Sequence, residues 1–152
     1  MPARRRLVWA LALLPLLGLV LLGLWGFLRY QAHVAPFRGA EFDAARWRAA
    51  FACDPGQSPG DCAQQWASCP RGAMVEDLVA HVLAPGRSDR AAIRAVLGIP
   101  SHSGPHLWAG QTLQDCDFYP LGFCGGLGVD ESRLFVCYGP DQTIARAGHY
   151  RS

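Results

Sequence analysis

Two amino acids are missing from the 152-residue chain, which has neither lysine nor asparagine. Without lysine, the chain cannot form a Schiff base with a substrate carbonyl or contribute the lysine of a phosphate-binding P-loop. Without asparagine, it has no N-glycosylation site and no asparagine-based catalytic dyad. These absences exclude several enzyme classes before any motif is considered.

The basic residues are unevenly distributed along the chain. Four of the fourteen arginines are Arg4, Arg5, Arg6 and Arg29. From residue 30 onward, ten arginines stand against twelve acidic residues, so this part carries a net charge of about −2, whereas the whole chain carries +2. Nucleic-acid binding requires a clustered basic face. The sequence therefore predicts no nucleic-acid partner.

Charged residues are also missing from residues 7–28, a run of 22 positions. As a helix this run would be about 33 Å long, against about 30 Å for the hydrocarbon core of a bilayer. Trp9, Trp25 and Tyr30 lie near its two ends, where membrane proteins carry aromatic belts. Pro15 is tolerated in a membrane helix. The run predicts a transmembrane helix that contacts membrane lipid through residues 7–28.

The arginines before this run predict its orientation. By the positive-inside rule, the N-terminus stays in the cytoplasm and the helix spans a bacterial inner membrane. The rest of the chain is then exported to the periplasm. A cleaved signal peptide is the alternative, but its apolar region should span only about 7–15 residues. The nearest small-residue cleavage candidate, residues 32–35, is poor, and no cysteine for lipid attachment follows the run. We therefore expect an uncleaved signal-anchor over residues 1–29.

All six cysteines follow the apolar run. In an exported domain an even number predicts up to three disulfide bonds. None is spaced as C-x-x-C, the spacing typical of zinc knuckles and thioredoxin-like sites, so metal or redox chemistry is the weaker alternative. The disulfide candidates are Cys53, Cys62, Cys69, Cys116, Cys124 and Cys137.

Several pairings of these cysteines are possible, and the sequence alone does not choose among them. A bond from Cys53 to Cys62 would close the short loop of residues 53–61, which is rich in proline and glycine. Cys116 and Cys137 fall in two predicted strands and can be cross-strand neighbours. That arrangement would leave Cys69 to pair with Cys124.

The exported part begins with signals for a linker and short helices. Residues 30–41 contain proline and glycine and are predicted to form a linker. Asp43 can cap a short helix over residues 42–51, and a second helical piece is predicted for residues 62–68. Residues 42–70 would then form a cysteine-containing helical extension.

Two further helices are predicted to form an αα-hairpin. Residues 71–83 place six apolar side chains on one helical face. After a Pro-Gly stop, Ser88 or Asp89 can cap the next helix, which Gly98 and Pro100 would end.

From residue 111 onward the hydrophobic period becomes two. Strands are predicted for residues 113–119, 133–138 and 143–150, whereas residues 101–110 and 121–130 are predicted as loops. The sequence therefore predicts an α+β fold for residues 71–152. In it, the αα-hairpin packs on a three-stranded antiparallel meander as a two-layer sandwich.

Short motifs in the C-terminal half carry a family resemblance. They are Gly86-Arg87-Ser88, Ile93, Val96-Leu97-Gly98 and Pro100, followed by Tyr119, Leu121-Gly122, Asp130, Leu134 and Val136. This pattern resembles the BamE/SmpA (OmlA-like) family of small envelope proteins over residues 74–150. The resemblance implies the helix-then-sheet order above and a domain that binds proteins rather than catalysing a reaction.

One polar region offers a different function. His102 and His106 flank a Ser-Gly-Pro segment, and Asp115 and Asp117 lie nearby in sequence, so a metal site could be built from them. Ser101, His102 and Asp115 also have the residue types of a hydrolase triad, although no Gly-x-Ser-x-Gly elbow is present. The alternative is therefore a small exported enzyme or metal-binding protein that uses residues 102–117.

The favoured expectation is a non-enzymatic envelope protein without cofactor or metal. Its membrane-anchored, exported domain would mediate a protein–protein interaction or envelope assembly. Aromatic side chains dominate the binding energy of many interfaces, so Trp108 and Phe123 are candidate partner contacts if they are exposed.

Overall fold

The computed structural model describes residues 2–52, 60, 67–125 and 130–151, without the side chains of residues 2–13. The predicted Cys53–Cys62 bond, all but one residue of the loop over residues 53–61, most of the helix over residues 62–68 and part of the loop over residues 121–130 lie outside the described residues. Helices come first and strands follow. The elements are α1 (Pro2–His33), α2 (Ala44–Ala49), α3 (residues 72–82), α4 (Arg90–Leu97), β1 (His102–Trp108), β2 (Gln111–Gly122), β3 (Ser132–Tyr138) and β4 (Ile144–Arg151).

The N-terminal helix α1 extends beyond the predicted run at both ends and continues through Pro15. Its large apolar side chains between Leu14 and Leu28 are each more than half exposed. Such an apolar surface is covered by lipid or by another protein. The helix is long and apolar enough to cross a membrane, as the sequence predicts.

Residues 30–41, which the sequence predicts as a linker, contain the end of α1 and a short helical turn. A turn of 3-10 helix, Ala35–Phe37, follows α1 directly. Phe37 is 4% exposed and belongs to the core. The guanidinium of Arg151, at the end of the last strand, donates a hydrogen bond to the carbonyl of Ala32. These contacts fix the end of α1 to the domain that follows it.

Local capping signals place α2 and α4 where the sequence predicts them. A carboxylate oxygen of Asp43 accepts a hydrogen bond from the amide of Arg46 at 2.6 Å. At the start of α4, Asp89 accepts one from the amide of Ala92 at 2.8 Å. Gly98 ends α4 with a φ of +88°, a conformation that favours glycine.

Helix α3 changes its winding along its length. It begins as a 3-10 turn and ends as a π-helical turn, Leu78–Val82. There the amide of Leu83 donates to the carbonyl of Leu78 at 2.9 Å. Met74, Val75 and Leu78 are at most 1% exposed, so the apolar face predicted from the sequence packs into the core.

The sheet has four antiparallel strands in the order β1-β2-β3-β4, whereas the sequence predicts three. The additional strand, β1, lies in residues 101–110, for which the sequence predicts a loop. Its register shifts between Gly104 and His106, around Pro105. Proline lacks a backbone N–H, but β1 is an edge strand, where proline is tolerated. The α+β class is therefore correct, and the strand count was one too low.

Apolar side chains cover both faces of this sheet. The helices bury one face, and the strand residues of this main core are Tyr119, Leu121, Leu134, Val136, Tyr138 and Ile144. On the opposite face, a smaller cluster joins Phe118 and Phe135 to the half-buried Trp108 and Tyr150. The second face is therefore closed in part by side chains of the sheet itself.

Two of the three predicted disulfide bonds are present among the described residues. Cys116 and Cys137 are directly opposite each other on β2 and β3 and are bonded. Cys69 is bonded to Cys124, which joins the segment before α3 to the end of β2. The predicted cross-strand bond between Cys116 and Cys137 is confirmed, and so is the predicted bond between Cys69 and Cys124.

Candidate functional site

The polar residues of the alternative functional region are divided between the two faces of the sheet. His102 stacks on Phe118, with ring centroids 4.2 Å apart, and so belongs to the aromatic face. His106 lies on the same face, with its ring centroid 4.4 Å from that of Phe135. Asp115 and Asp117 instead bind arginines of α4, on the helix face. Within the described residues, no three His, Cys, Asp or Glu side chains form a group that could hold a metal ion.

Ser101, His102 and Asp115, which have the residue types of a hydrolase triad, likewise do not lie together. The Ser101 hydroxyl donates a hydrogen bond to the carbonyl of Phe118 at 2.9 Å. Its oxygen lies 3.4 Å from Nδ1 of His102. Because Asp115 is on the other face of the sheet, it does not orient this imidazole as a triad requires.

Asp117 is the centre of a buried ion-pair network. Its carboxylate is fully buried and accepts hydrogen bonds from Arg90 at 2.7 Å and from Arg94 at 2.8 Å. The hydroxyl of Ser103 donates a further one at 2.6 Å. Burial by itself raises the pKa of Asp117, but the hydrogen bonds from Arg94, Arg90 and Ser103 outweigh it and hold the pKa well below its usual value. All of these groups are paired, so the network fits a structural role that fixes α4 to the sheet.

The two predicted partner contacts are only partly accessible. Trp108 is half-buried, with its ring centroid 4.9 Å from that of Phe135. Phe123 is half-buried at the end of β2. Both lie at the edge of packed regions rather than standing free in solvent.

A larger apolar feature lies where α1 joins the domain. We call it the junction groove, a cavity of about 420 Å³ between the end of α1, helix α3 and strand β4. Its apolar lining comes from Val34, Phe37, Val75 and Val79, together with Ala80. Val79 and Ala80 belong to the π-helical turn of α3, and such turns are frequent at functional sites.

One wall of the groove contains two stacked rings. Phe37 stacks on His149 of β4, with ring centroids 3.9 Å apart. Burial, and next the charge of Arg151, lower the pKa of His149, which favours a neutral imidazole in this stack. The amide of Ala40 donates to the carbonyl of Ala73 at 3.1 Å and ties the chain after Phe37 to α3.

Beside this apolar groove lies a second space with an acidic lining. The second space, about 430 Å³, is lined by Glu41, Glu76, Asp77 and His81. Glu76 and Ala80 line both spaces. We call this second space the acidic end of the junction groove.

The residues of the acidic end already make several polar contacts. Nε of Arg38 lies 2.6 Å from the carboxylate of Glu76. Asp77 accepts hydrogen bonds from the amide of Phe42 and from His81, both at 2.8 Å. Chiefly because of the Phe42 amide, the pKa of Asp77 lies below its usual value, and its carboxylate stays charged.

The sequence did not reveal this groove, because its walls come from segments far apart in the chain. Val34 and Phe37 fall in the predicted linker, and His149 falls in the last predicted strand without a predicted role. One signal was available, since Val34 and Phe37 are an apolar pair at the helical spacing i, i+3.

No family, curated protein or solved structure matches this chain. The function proposed below therefore rests on the residues of the chain itself.

Proposed function

We propose that this chain is a non-enzymatic protein of the bacterial cell envelope that docks another protein at the junction groove. Helix α1 anchors it in the inner membrane with the N-terminus in the cytoplasm. The domain after α1 lies in the periplasm and supports an interaction or an assembly at the membrane surface.

The location is supported by two features of different kinds. A helix of 32 residues, whose large apolar side chains from Leu14 to Leu28 are exposed, precedes the domain. The domain contains the Cys69–Cys124 and Cys116–Cys137 disulfides, and disulfide bonds persist in oxidising compartments rather than in the cytoplasm. The cluster Arg4–Arg6 before the apolar run supports a cytoplasmic N-terminus.

The junction groove is the observation that carries the docking role. Its apolar walls are partly open to solvent, and Phe37 and His149 fix its shape before any partner arrives. A preformed apolar cleft lowers the ordering cost of binding. Its residues do not form a nucleophile–base pair, which favours binding over catalysis.

The resemblance to the BamE/SmpA family implies helices followed by an antiparallel sheet, and in this chain α3 and α4 precede the four strands. The edge strand β1 is an addition to that pattern. The resemblance supports the type of role, that of a protein-binding envelope domain. The groove supports the place where the partner docks.

Site-specific photo-crosslinking in cells tests this proposal. A photoreactive residue replaces Val79, inside the groove, or Gln111, which is exposed at the start of β2. The full-length chain is produced at its natural level and irradiated. We expect a discrete protein adduct from position 79 and none of that mass from position 111. Failure to form any protein adduct at position 79, or equal adducts at both positions, would contradict docking in the groove.

A further inference from the structure

The two disulfide bonds of the described residues constrain the chain in different ways. Cys116 and Cys137 are register partners on β2 and β3, so the hydrogen bonds between these strands hold the two backbones together even without the covalent bond. Cys69 and Cys124 are separated by 55 residues, and both lie outside the strands of the sheet. The Cys69–Cys124 bond therefore joins two segments that the strand pairing does not hold.

Cys69 supports the 3-10 turn that follows α1. Its Sγ lies 4.0 Å from the carbonyl oxygen of Pro36, which belongs to this turn. Gly72 borders both atoms, because a Cβ at this position would overlap Sγ of Cys69 and lie 2.5 Å from the same carbonyl oxygen. The sulfur, Gly72 and the turn are thus packed in close contact. A displacement of the sulfur would remove the surface on which the turn rests.

Cys124 is connected to the end of α1 by a second route. The next residue, Gly125, lies against Arg151, since a Cβ at Gly125 would be 3.5 Å from Cζ of the arginine. The guanidinium of Arg151 in turn donates a hydrogen bond to the carbonyl of Ala32, in the last turn of α1. Both cysteines of this bond therefore support the place where α1 joins the domain.

The two bonds also differ in access. Cys69 is half-buried, whereas Cys124, Cys116 and Cys137 are each at most 2% exposed. Thiol–disulfide exchange requires a thiolate to reach one sulfur of the bond. Of these four residues, Cys69 is the one that a thiolate can approach while the domain is folded. The Cys116–Cys137 bond becomes accessible only when the sheet opens.

We infer that the Cys69–Cys124 bond is a redox-sensitive latch, which fixes the end of α1 and the adjoining wall of the junction groove to the domain. A dithiol reductant opens the latch in two steps. One thiolate of the dithiol bonds to the sulfur of Cys69, and the Cys69–Cys124 bond breaks as Cys124 leaves as a thiolate. The second thiolate of the dithiol then displaces Cys69. The two cysteines gain two electrons and two protons, and the dithiol becomes a disulfide.

The open latch releases one part of the chain and leaves the rest in place. Residues 32–37 lose their support, whereas β2 and β3 stay joined by their hydrogen bonds and by Cys116–Cys137. Val34 and Phe37 line the junction groove, so the groove loses one of its walls. As a control of docking, the latch rests on the proposed function. As a change within the chain, it stands without that function.

Graded reduction of the full-length chain in detergent micelles tests the latch. Dithiothreitol is the reductant, and alkylation followed by peptide mapping identifies the free thiols. We expect free thiols at Cys69 and Cys124 at dithiothreitol concentrations that leave Cys116–Cys137 intact. Hydrogen exchange of residues 32–42 should then become about tenfold faster, as in a local opening, while residues 132–138 of β3 keep their protection.

Paired serine variants provide matched controls. Cys69→Ser with Cys124→Ser should show the fast exchange of residues 32–42 without reductant, whereas Cys116→Ser with Cys137→Ser should leave that segment as in the wild type. If the first pair does not fold, reduction of the wild type decides alone. Reduction of both bonds together, or unchanged exchange of residues 32–42 after the Cys69–Cys124 bond is reduced, would overturn the inference. An equal loss of protection in β3 would do so as well.

The photo-crosslink from position 79 separates the latch from the docking function. Its yield in cells should fall about tenfold in the Cys69→Ser, Cys124→Ser variant, because the groove is no longer preformed. An equal yield in this variant and in the wild type would overturn the control of docking by the latch. If neither protein gives an adduct and residues 32–42 still respond to reduction, the docking function is refuted and the latch is supported.

Discussion

Arg94 and Asp117 form a two-pronged ion pair across the boundary between helix α4 and strand β2. Nε and Nη2 of the arginine each lie 2.8 Å from a different carboxylate oxygen. Asp117 is fully buried, whereas Asp115, two residues earlier on the same strand, is 40% exposed in its side chain. The two acids therefore form a matched pair for measuring what burial adds.

We expect Asp117→Asn to lower the free energy of unfolding by about 3 kcal/mol, because it leaves two partly buried arginines without their buried anion. Asp115→Asn should cost no more than about 1 kcal/mol, because its carboxylate is partly exposed. Denaturant unfolding of the full-length chain in detergent micelles measures both. Equal losses in the two variants would show that burial of Asp117 contributes nothing.

The same carboxylate makes stability depend on pH in a defined window. Asp117 has a lower pKa in the folded than in the unfolded chain, so its contribution is complete above about pH 4 and is lost as pH falls through the folded pKa. The melting temperature should therefore fall below about pH 4 in the wild type and less steeply in Asp117→Asn. Parallel curves for the two proteins from pH 5 to pH 2 would contradict this assignment.

Two partly buried histidines should produce an earlier, separate loss of stability. Burial lowers the pKa of His106 and of His149 in the folded chain, so both resist the proton that the unfolded chain takes up below about pH 6.5. Stability should therefore begin to decline below about pH 6.5. Replacing His149 with Gln should flatten this first decline and leave the one below about pH 4 in place. Melting curves between pH 8 and pH 4 test this, and a variant that keeps the full early decline would argue against a contribution from His149.

Gly72 should tolerate no side chain, because it lies beneath the Cys69–Cys124 disulfide. A Cβ at this position would overlap the sulfur of Cys69 and lie 2.5 Å from the carbonyl oxygen of Pro36. We expect Gly72→Ala to destabilise the domain by about 1–3 kcal/mol, the usual cost of overpacking. Gly104→Ala is the control, since nothing lies within 4 Å of its Cβ position. If thermal unfolding gives the same midpoint for both variants, the close packing around Gly72 is refuted.

Local signals in the sequence were sufficient for the helices and for much of the sheet. Asp43 and Asp89 carry capping oxygens, and Gly98 supplies the positive φ that ends α4. Each of these effects acts within a few residues. The Cys116–Cys137 bond was also foreseeable, since it follows once β2 and β3 are recognised as neighbouring strands.

The parts that the sequence did not reveal depend on long-range contacts. Pro105 and Gly104 made β1 look like a loop, and only its position at the sheet edge makes a strand acceptable there. His102 and Asp117 lie on consecutive strands, yet the strand pairing places their side chains on opposite faces of the sheet. The junction groove depends on the stacking of Phe37 on His149, and no local sequence pattern encodes this long-range contact.

We propose above that this disulfide-bonded domain is exported and stays attached to α1, with the junction groove outside the membrane. Two samples test this: intact-mass and non-reducing peptide mapping of the protein from untreated membranes, and digestion of the protein by protease added to spheroplasts. In the untreated sample we expect a membrane-bound chain that retains residues 2–33 and has intact Cys69–Cys124 and Cys116–Cys137 bonds, and in the treated sample we expect the added protease to digest the domain. A chain that begins after residue 33, a domain protected from external protease, or free thiols at these four cysteines would contradict it.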